Sequence, residues 1–431
     1  MKTKMMVAIF LVSTVLLALT LTAITPSHAD TEDLIQYVPL DTNWTYALEF
    51  DKAESDILWV TAIVDPEGGQ CDGLLKVNYT KILLGEPDYY TLYYRYLGFV
   101  VFWDIAIDNE GNLWMTRFGF GGLTKFNPTT EEWTDYTHSE TGHIGQTNII
   151  YKDGLLYSTG FWHLEIYDPV ADTFEQIQLG YFELDAHWYA PFGMCEDGQY
   201  LWITMGDDMN CNPRGSLLKF DTVTKTVVEN ITIPYRGAGV CCDENNVYFG
   251  LRDPEWSGNL FIGNYSKIDG IVRWIYTDVP NLAWNVWYTN VDTYGNVWMC
   301  DMVGQCACAV NGLPDAIGIK VFGGSQNAII QKGDKMIVAG NGISITKGFS
   351  AMEDIDDGGL ALIQIPQTIE ITGDINHDFS VNAKDAIVLG VAFSSKEGDP
   401  SWNPEADINN DTWVNAKDAL LLGTNFGYSL F

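Results

Sequence analysis

One unit recurs along most of this 431-residue chain and limits what it can fold into. A short apolar run leads to an acidic or glycine turn, then to a run carrying an aromatic residue, then to two further short runs. The clearest copy is WDIAIDNEGNLWMTRFGFGGLTKFNPTTEEWTDYT, from Trp103. Related copies include YALEFDKAESDILWVTAIV, IIYKDGLLYSTGFWHLEIYDPVADTFEQIQL, GMCEDGQYLWITM, GVCCDENNVYFGL and NVDTYGNVWMCDM, with a degenerate last copy around QKGDKMIVAG. The landmark position holds Trp59, Trp114, Tyr157, Trp202, Tyr248, Trp298 and Ile337, at successive spacings of 55, 43, 45, 46, 50 and 39. Asp-Gly and Asn-Gly turns punctuate the runs and helical periodicity is almost absent, so each unit reads as four short strands.

A repeat of about 40–50 residues with four strands per unit is the pattern of a β-propeller. The expectation is an all-β ring of seven four-stranded blades, with six as the alternative, spanning roughly residues 30–366. Many of the 15 tryptophans then pack between blades. The segment DLIQYVPL (33–40) reads like the outer strands FEQIQL and VVENITIP, yet it precedes the first unit. It is expected to pair with GLALIQIP (359–366) and so close the ring.

The tail, 373–431, follows a short linker (367–372) and carries a different repeat. DINHDFSVNAKD (374–385) and DINNDTWVNAKD (407–418) stand 33 residues apart, each followed by an apolar helical run. Loop positions 1, 3, 5, 9 and 12 hold Asp374, Asn376, Asp378, Asn382 and Asp385, then Asp407, Asn409, Asp411, Asn415 and Asp418. The backbone carbonyls of Ser380 and Trp413, at position 7, complete each set. Oxygens at this spacing suit a hard cation such as Ca²⁺, which takes about six to eight of them. Position 6, where glycine accommodates a positive φ, holds Phe379 and Thr412 instead.

This duplicated loop-plus-helix unit resembles a type I dockerin, a small α-helical domain with two EF-hand-like loops. The resemblance implies two Ca²⁺ and a cohesin-domain partner. It also implies docking contacts at loop positions 10 and 11, which are Ala383, Lys384, Ala416 and Lys417 here. In the middle region, EGNLWMTRFGFGGLTKFNPTTEEWTDY and YGNVWMCD resemble the repeats of the streptogramin (virginiamycin B) lyases. That family cleaves a cyclic ester-linked antibiotic by elimination, using His and Glu side chains of its later blades and a divalent metal. Residues 239–366 contain no histidine, so the resemblance carries over the fold and no catalytic residue.

The chain opens with MKTK, an apolar run from Met5 to Ile24, and a small-residue site before Asp30. This reads as a signal peptide, residues 1–29, with an uncleaved anchor as the alternative. The expectation is a secreted, extracellular protein, with association at the cell surface as a further option, and without a membrane span after cleavage. Removal of Lys2 and Lys4 moves the net charge from −34 to −36. Such a balance argues against nucleic acid, whose binding is built on Lys and Arg. Eight cysteines, at 71, 195, 211, 241, 242, 300, 306 and 308, suggest disulfides in an exported chain, without fixing their pairing.

Propeller loops entering the inner strand and loops joining the second and third strands open on one face. His143, His163 and His187 fall there in blades three and four, near Glu183 and Asp185. They are candidates for a general base or an additional divalent metal, or are independent surface histidines. Trp103, Arg117, Trp162, Trp188, Trp284 and Trp287 are expected on the same face. Aromatic rings beside carboxylates suit a polysaccharide or glycan ligand. Two functional classes follow: a binding module anchored by its tail, or an enzyme, either a lyase or a carbohydrate-active catalyst, targeted by it.

Overall fold

The computed structural model describes residues 35–365 and 372–427, except 66–70, 97–100, 119–120, 137–146, 161, 180, 184–186, 208–214, 235–236, 252–259, 278–285, 302–304, 310–315, 322–325, 342–357 and 377–380. The proposed signal peptide lies outside these residues. The chain divides into two compact units, Tyr37–Ile363 and one that contains 364–431.

The first unit is a seven-bladed propeller of four-stranded antiparallel sheets. The second blade shows the pattern, with strands Val101–Ile107, Leu113–Phe118, Leu123–Asn127 and Glu132–Tyr136 in spatial order. The fourth sheet gains an extra strand, Tyr181–Glu183, on its inner edge, and the first blade inserts a one-turn helix, Tyr79–Leu84. The seventh blade comes from both ends of the ring. Ile35–Pro39 pairs with Gly358–Gln364, which continues through Lys335–Asn341 to Gln326–Lys332. The expected closure is therefore present, reinforced by the Leu40 amide donating to the Gly358 carbonyl at 3.2 Å.

Every landmark residue lies on the second strand of its blade, and all seven are buried. A tryptophan buried there must find an acceptor for its indole N–H. The turn between the first and second strands supplies one. Trp59, Trp114, Trp202 and Trp298 donate Nε1 to Asp51, Asp108, Asp197 and Asp292 at 3.0, 2.9, 2.8 and 2.8 Å. Tyr248 donates its hydroxyl to Asp243 in the same way, at 3.0 Å. The other carboxylate oxygen organises the turn. Asp108 Oδ1 accepts from the amides of Glu110 and Asn112, and Asp292 Oδ1 from those of Tyr294 and Asn296.

Two residues beyond the landmark, four blades carry threonine: Thr61, Thr116, Thr159 and Thr204, all buried. Their hydroxyls accept from the inner-strand amides of Ala47, Asp104 and Gly193 and from that of Asn148, just before its inner strand, at 2.9 to 3.1 Å. In blades one, two and four this amide falls where the inner strand bulges, between Thr45 and Leu48, Phe102 and Ile105, and Pro191 and Met194. A bulge leaves a backbone group without a ladder partner, and the threonine satisfies it.

The second unit is built on two helices, Ala383–Ala392 and Ala416–Asn425, joined through a short 3₁₀ turn at Pro404–Ala406. Ile375, Val381, Leu389, Ala392, Ala406, Val414 and Leu422 form its core.

Candidate functional site

The two helices of the tail begin identically. Asn382 and Asn415 cap them, and Asp385 and Asp418 return the bond to the cap amide, closing two reciprocal capping boxes. Both aspartates are fully buried. Each also gathers the start of its loop. Asp385 Oδ1 accepts from Ile375 and Asn376 at 2.8 and 3.1 Å, and Asp418 Oδ1 accepts from Asn409 at 3.2 Å. In the second loop Asp407 is nearly buried and accepts from the amides of Asp411 and Thr412 at 3.0 and 2.7 Å. Thr412 sits at φ +67°, the left-handed conformation expected of position 6, and Asn410 at +55°.

The donors suit a hard cation: carboxylates, amide oxygens and a carbonyl wound into one turn. Asp411 is turned toward Lys417, with Nζ 2.8 Å from Oδ2, and Asn415 donates to the Trp413 carbonyl at 2.9 Å. Among the described residues no three acidic, histidine or cysteine side chains converge to cation-binding distance. Asp378, Phe379 and Ser380 of the first loop lie outside the described residues; Asp374 is buried and Asn376 half-buried. Ala383, Lys384, Ala416 and Lys417 are all exposed. Behind them on the same helix faces, Ile387, Val391 and Leu420 are at least two-thirds exposed.

In the propeller, His163 opens the third strand of its blade. His187 is the first residue of its inner strand and pairs across the sheet with Glu183. The backbone thus places 163 and 187 at strand ends of the expected face. His143, Asp185 and Trp284 lie outside the described residues. Trp188 and Trp287 are placed by backbone only, each on an inner strand. Trp162 is half-buried, its ring 6.5 Å from that of His163. Arg117 is buried rather than open, with Nη1 4.0 Å from Asp135.

A second cluster joins Trp103, expected on the binding face, to carboxylates that carry no mark in the sequence pattern. Trp103, at the bulge of blade two, packs its ring 5.5 Å from Tyr46 of blade one. Tyr288, from the inner strand of blade six, reaches across the axis to the Trp103 carbonyl at 3.4 Å. Asp104 accepts from the Ile149 amide of blade three at 3.0 Å and from Asn148 Nδ2 at 3.3 Å. Burial nevertheless lifts Asp104 to about 6, against the hydrogen bonds that lower it. Burial, reinforced by the charge of Asp104 and opposed by Lys52, lifts Glu49 to about 7. Both keep some exposed area, although protein surrounds them on almost every side. Burial also suppresses ionisation of Tyr46 and of Tyr288, the latter reinforced by the charge of Asp104. Glu49 and Asp104 are therefore the groups of this cluster suited to hold or exchange a proton near neutral pH.

Residues 372–426 match the family described as dockerin type I domain, and this stretch of the chain is such a domain. No curated protein matches the sequence. Among solved structures, virginiamycin B lyase from Staphylococcus aureus has a TM-score of 0.55 at 13% identity, over 76% of this chain and 99% of that one. A streptogramin B lyase gives 0.54 at 12% identity, over 76% and 97%. The extracellular domain of a putative hybrid two-component system from B. thetaiotaomicron gives 0.50 at 14%, over 77% and 41%. At these identities the likeness is one of fold.

Proposed function

We propose that this is an extracellular protein whose tail, ordered by two Ca²⁺, anchors a ligand-binding propeller to a cohesin-bearing partner. Dockerin domains bind cohesins and Ca²⁺ in general. The observation that carries the reading is the duplicated exposed face: the same Ala-Lys pair leading each helix, with uncovered aliphatic side chains one turn further on. Two equivalent faces allow docking in either of two orientations. Asp374, Asn376, Asp378, Asn382 and Asp385, with the Ser380 carbonyl, would hold one ion. Asp407, Asn409, Asp411, Asn415 and Asp418, with the Trp413 carbonyl, would hold the other. The ion offsets the mutual repulsion of gathered carboxylates. The buried Asp385 and Asp418 meanwhile tie loop amides to the helix starts.

The protein without residues 1–29 is used as bait on the organism's own secreted and surface fraction, with Ca²⁺ present and chelator elution. A cohesin-domain protein released by chelator is the expected result, and no calcium-dependent partner would overturn the anchoring reading. Reversing the charge of both Lys384 and Lys417 weakens docking at least tenfold, whereas either change alone costs about twofold, the statistical weight of one lost face. Equal binding by all variants excludes this surface.

For the propeller, carbohydrate or surface-ligand recognition is supported by Trp103 and Trp162, both half-buried rather than sealed in the core. Retention of the full chain on insoluble glycans tests it. The enzyme reading, with a lyase or carbohydrate-active reaction, is favoured by Glu49 and Asp104. If that pair is catalytic, Glu49→Gln abolishes turnover of ester or glycan substrates and shifts the pH profile, while a binding module retains its ligand. An additional divalent metal at His163 and His187 belongs to the same reading, and the double His→Ala variant reports on it.

A further inference from the structure

We infer that Cys300 and Cys306 form a disulfide inside blade six, joining its second and third strands. The two residues are direct partners in the antiparallel pairing of Val297–Asp301 with Gln305–Ala309. The described cysteines are all free thiols in the structure, so the expected disulfides are not seen there. The sulfurs of these two nevertheless lie 3.0 Å apart, and both side chains are fully buried. Opposed residues of an antiparallel pair have Cα atoms about 4.5–5.5 Å apart. A disulfide spans about 4.4–6.8 Å between Cα atoms. The backbone therefore already satisfies the cross-link, and a change in side-chain torsion of either residue brings the sulfurs to bonding distance.

Other described cysteines are placed differently. Cys308, two residues along from Cys306, is opposed to Trp298 rather than to a cysteine. Cys241 and Cys242 are adjacent in sequence and are opposed to Tyr248 and Val247. Cys242 accepts a hydrogen bond from Cys195, of the neighbouring blade, which lowers its thiol below the ordinary value. Among the described residues, Cys300 and Cys306 are the cysteine pair that the strand register itself brings together.

Forming the bond removes two protons and two electrons, one of each from either thiol, and creates one Sγ–Sγ bond. The electrons pass to a disulfide of an oxidising thiol carrier, such as oxidised glutathione, which leaves as two thiols. Exchange proceeds through a mixed disulfide on one cysteine, which the thiolate of the other then displaces. Both sulfurs are sealed once the sheet packs, so oxidation precedes blade closure and the finished bond is sheltered from reductants. The bond is used in the cell only if the proposed extracellular location holds, but its formation in solution does not depend on location.

The full chain is refolded in oxidised and reduced glutathione, acid-quenched, and alkylated under denaturing conditions before and after reduction. Cleavage at Asp301 separates the two cysteines. The expected product is a linked pair of peptides carrying Cys300 and Cys306, with neither residue alkylated before reduction. Alkylation of both residues, or linkage of either to a different cysteine, overturns the pairing. In the native protein, the Cys300→Ser, Cys306→Ser double variant unfolds at lower denaturant than the parent without reductant. The difference shrinks when the parent is unfolded with reductant present. Linkage after refolding, combined with free thiols in protein taken from its own source, supports the pairing and counts against extracellular location.

Discussion

At the scale of single residues, the fold rests on a repeated bargain between a buried indole and a turn carboxylate. Asp108 accepts from the Trp114 indole, from Asn112 Nδ2 and from two backbone amides. Replacing it with alanine strands several buried donors together, each costing about 1–3 kcal/mol when unpaired. Asp108→Ala should therefore lower stability by about 3 kcal/mol or more in denaturant titration, and Asp108→Asn by less, since an amide oxygen still accepts. A loss below 0.5 kcal/mol would show that the carboxylate only decorates the turn. The landmark aromatics were legible in the sequence because their spacing repeats. Their partners were legible only as turn residues, because spacing reports where a chain reverses and not which side chain meets another. Glu49 and Asp104 were not legible at all. They sit inside apolar strands, YALEF and FWDIAI, and a bulge in each inner strand shifts which side chains face the axis.

At the scale of elements, strand order follows chain order in six blades, and the seventh departs from it. The strand Ile35–Pro39 completes that blade, with Ile35, Val38 and Leu40 at most 6% exposed. Truncation of 31–40 removes an edge of backbone hydrogen bonds and leaves apolar residues of the last sheet in water. The expected loss is about 5 kcal/mol or more, from the usual cost of emptying such sites. It is read as a fall in melting temperature, and an unchanged midpoint would remove this strand from the ring's closure. Its place was legible because DLIQYVPL shares the pattern of outer strands. The helix starts of the tail were legible too, since a motif copied at fixed spacing folds alike twice. The two cap residues agree within a few degrees, at φ −142° and −145° with ψ −163° in both.

At the scale of the whole molecule, a net charge of −34 is accompanied by carboxylates that the fold keeps protonated more readily than water does. Burial lifts Glu49 to about 7, Asp104 to about 6 and Asp72 to about 7, the last against the pull of Arg95 and Arg117. Between the ordinary values near 4 and these raised ones, the native state holds protons that the unfolded chain has released. Stability therefore falls as pH rises through about 4 to 7. Asp51 and Asp135 act in the opposite sense. Burial alone would raise them, but hydrogen bonds from Trp59 and backbone amides, and from Arg95 and Thr124, hold them low. Their contribution is lost below about pH 4. The denaturation midpoint should peak at mildly acidic pH, lie lower at pH 8, and change less between the two in Glu49→Gln. A midpoint that climbs steadily toward pH 8 contradicts this assignment.

The two-ended seventh blade also orders events in time. Ile35–Pro39 is the first blade strand to be synthesised and Gly358–Gln364 the last, about three hundred residues later. Six sheets can assemble as the chain lengthens, but they wait as an open arc, because the strand that would join its ends has no partner yet. Contacts so distant in sequence slow folding far more than they weaken the finished state. The same arrangement works in reverse. No blade can peel from the circle until that one pairing lets go, so the native ring gains a lifetime that its equilibrium stability alone would not give it.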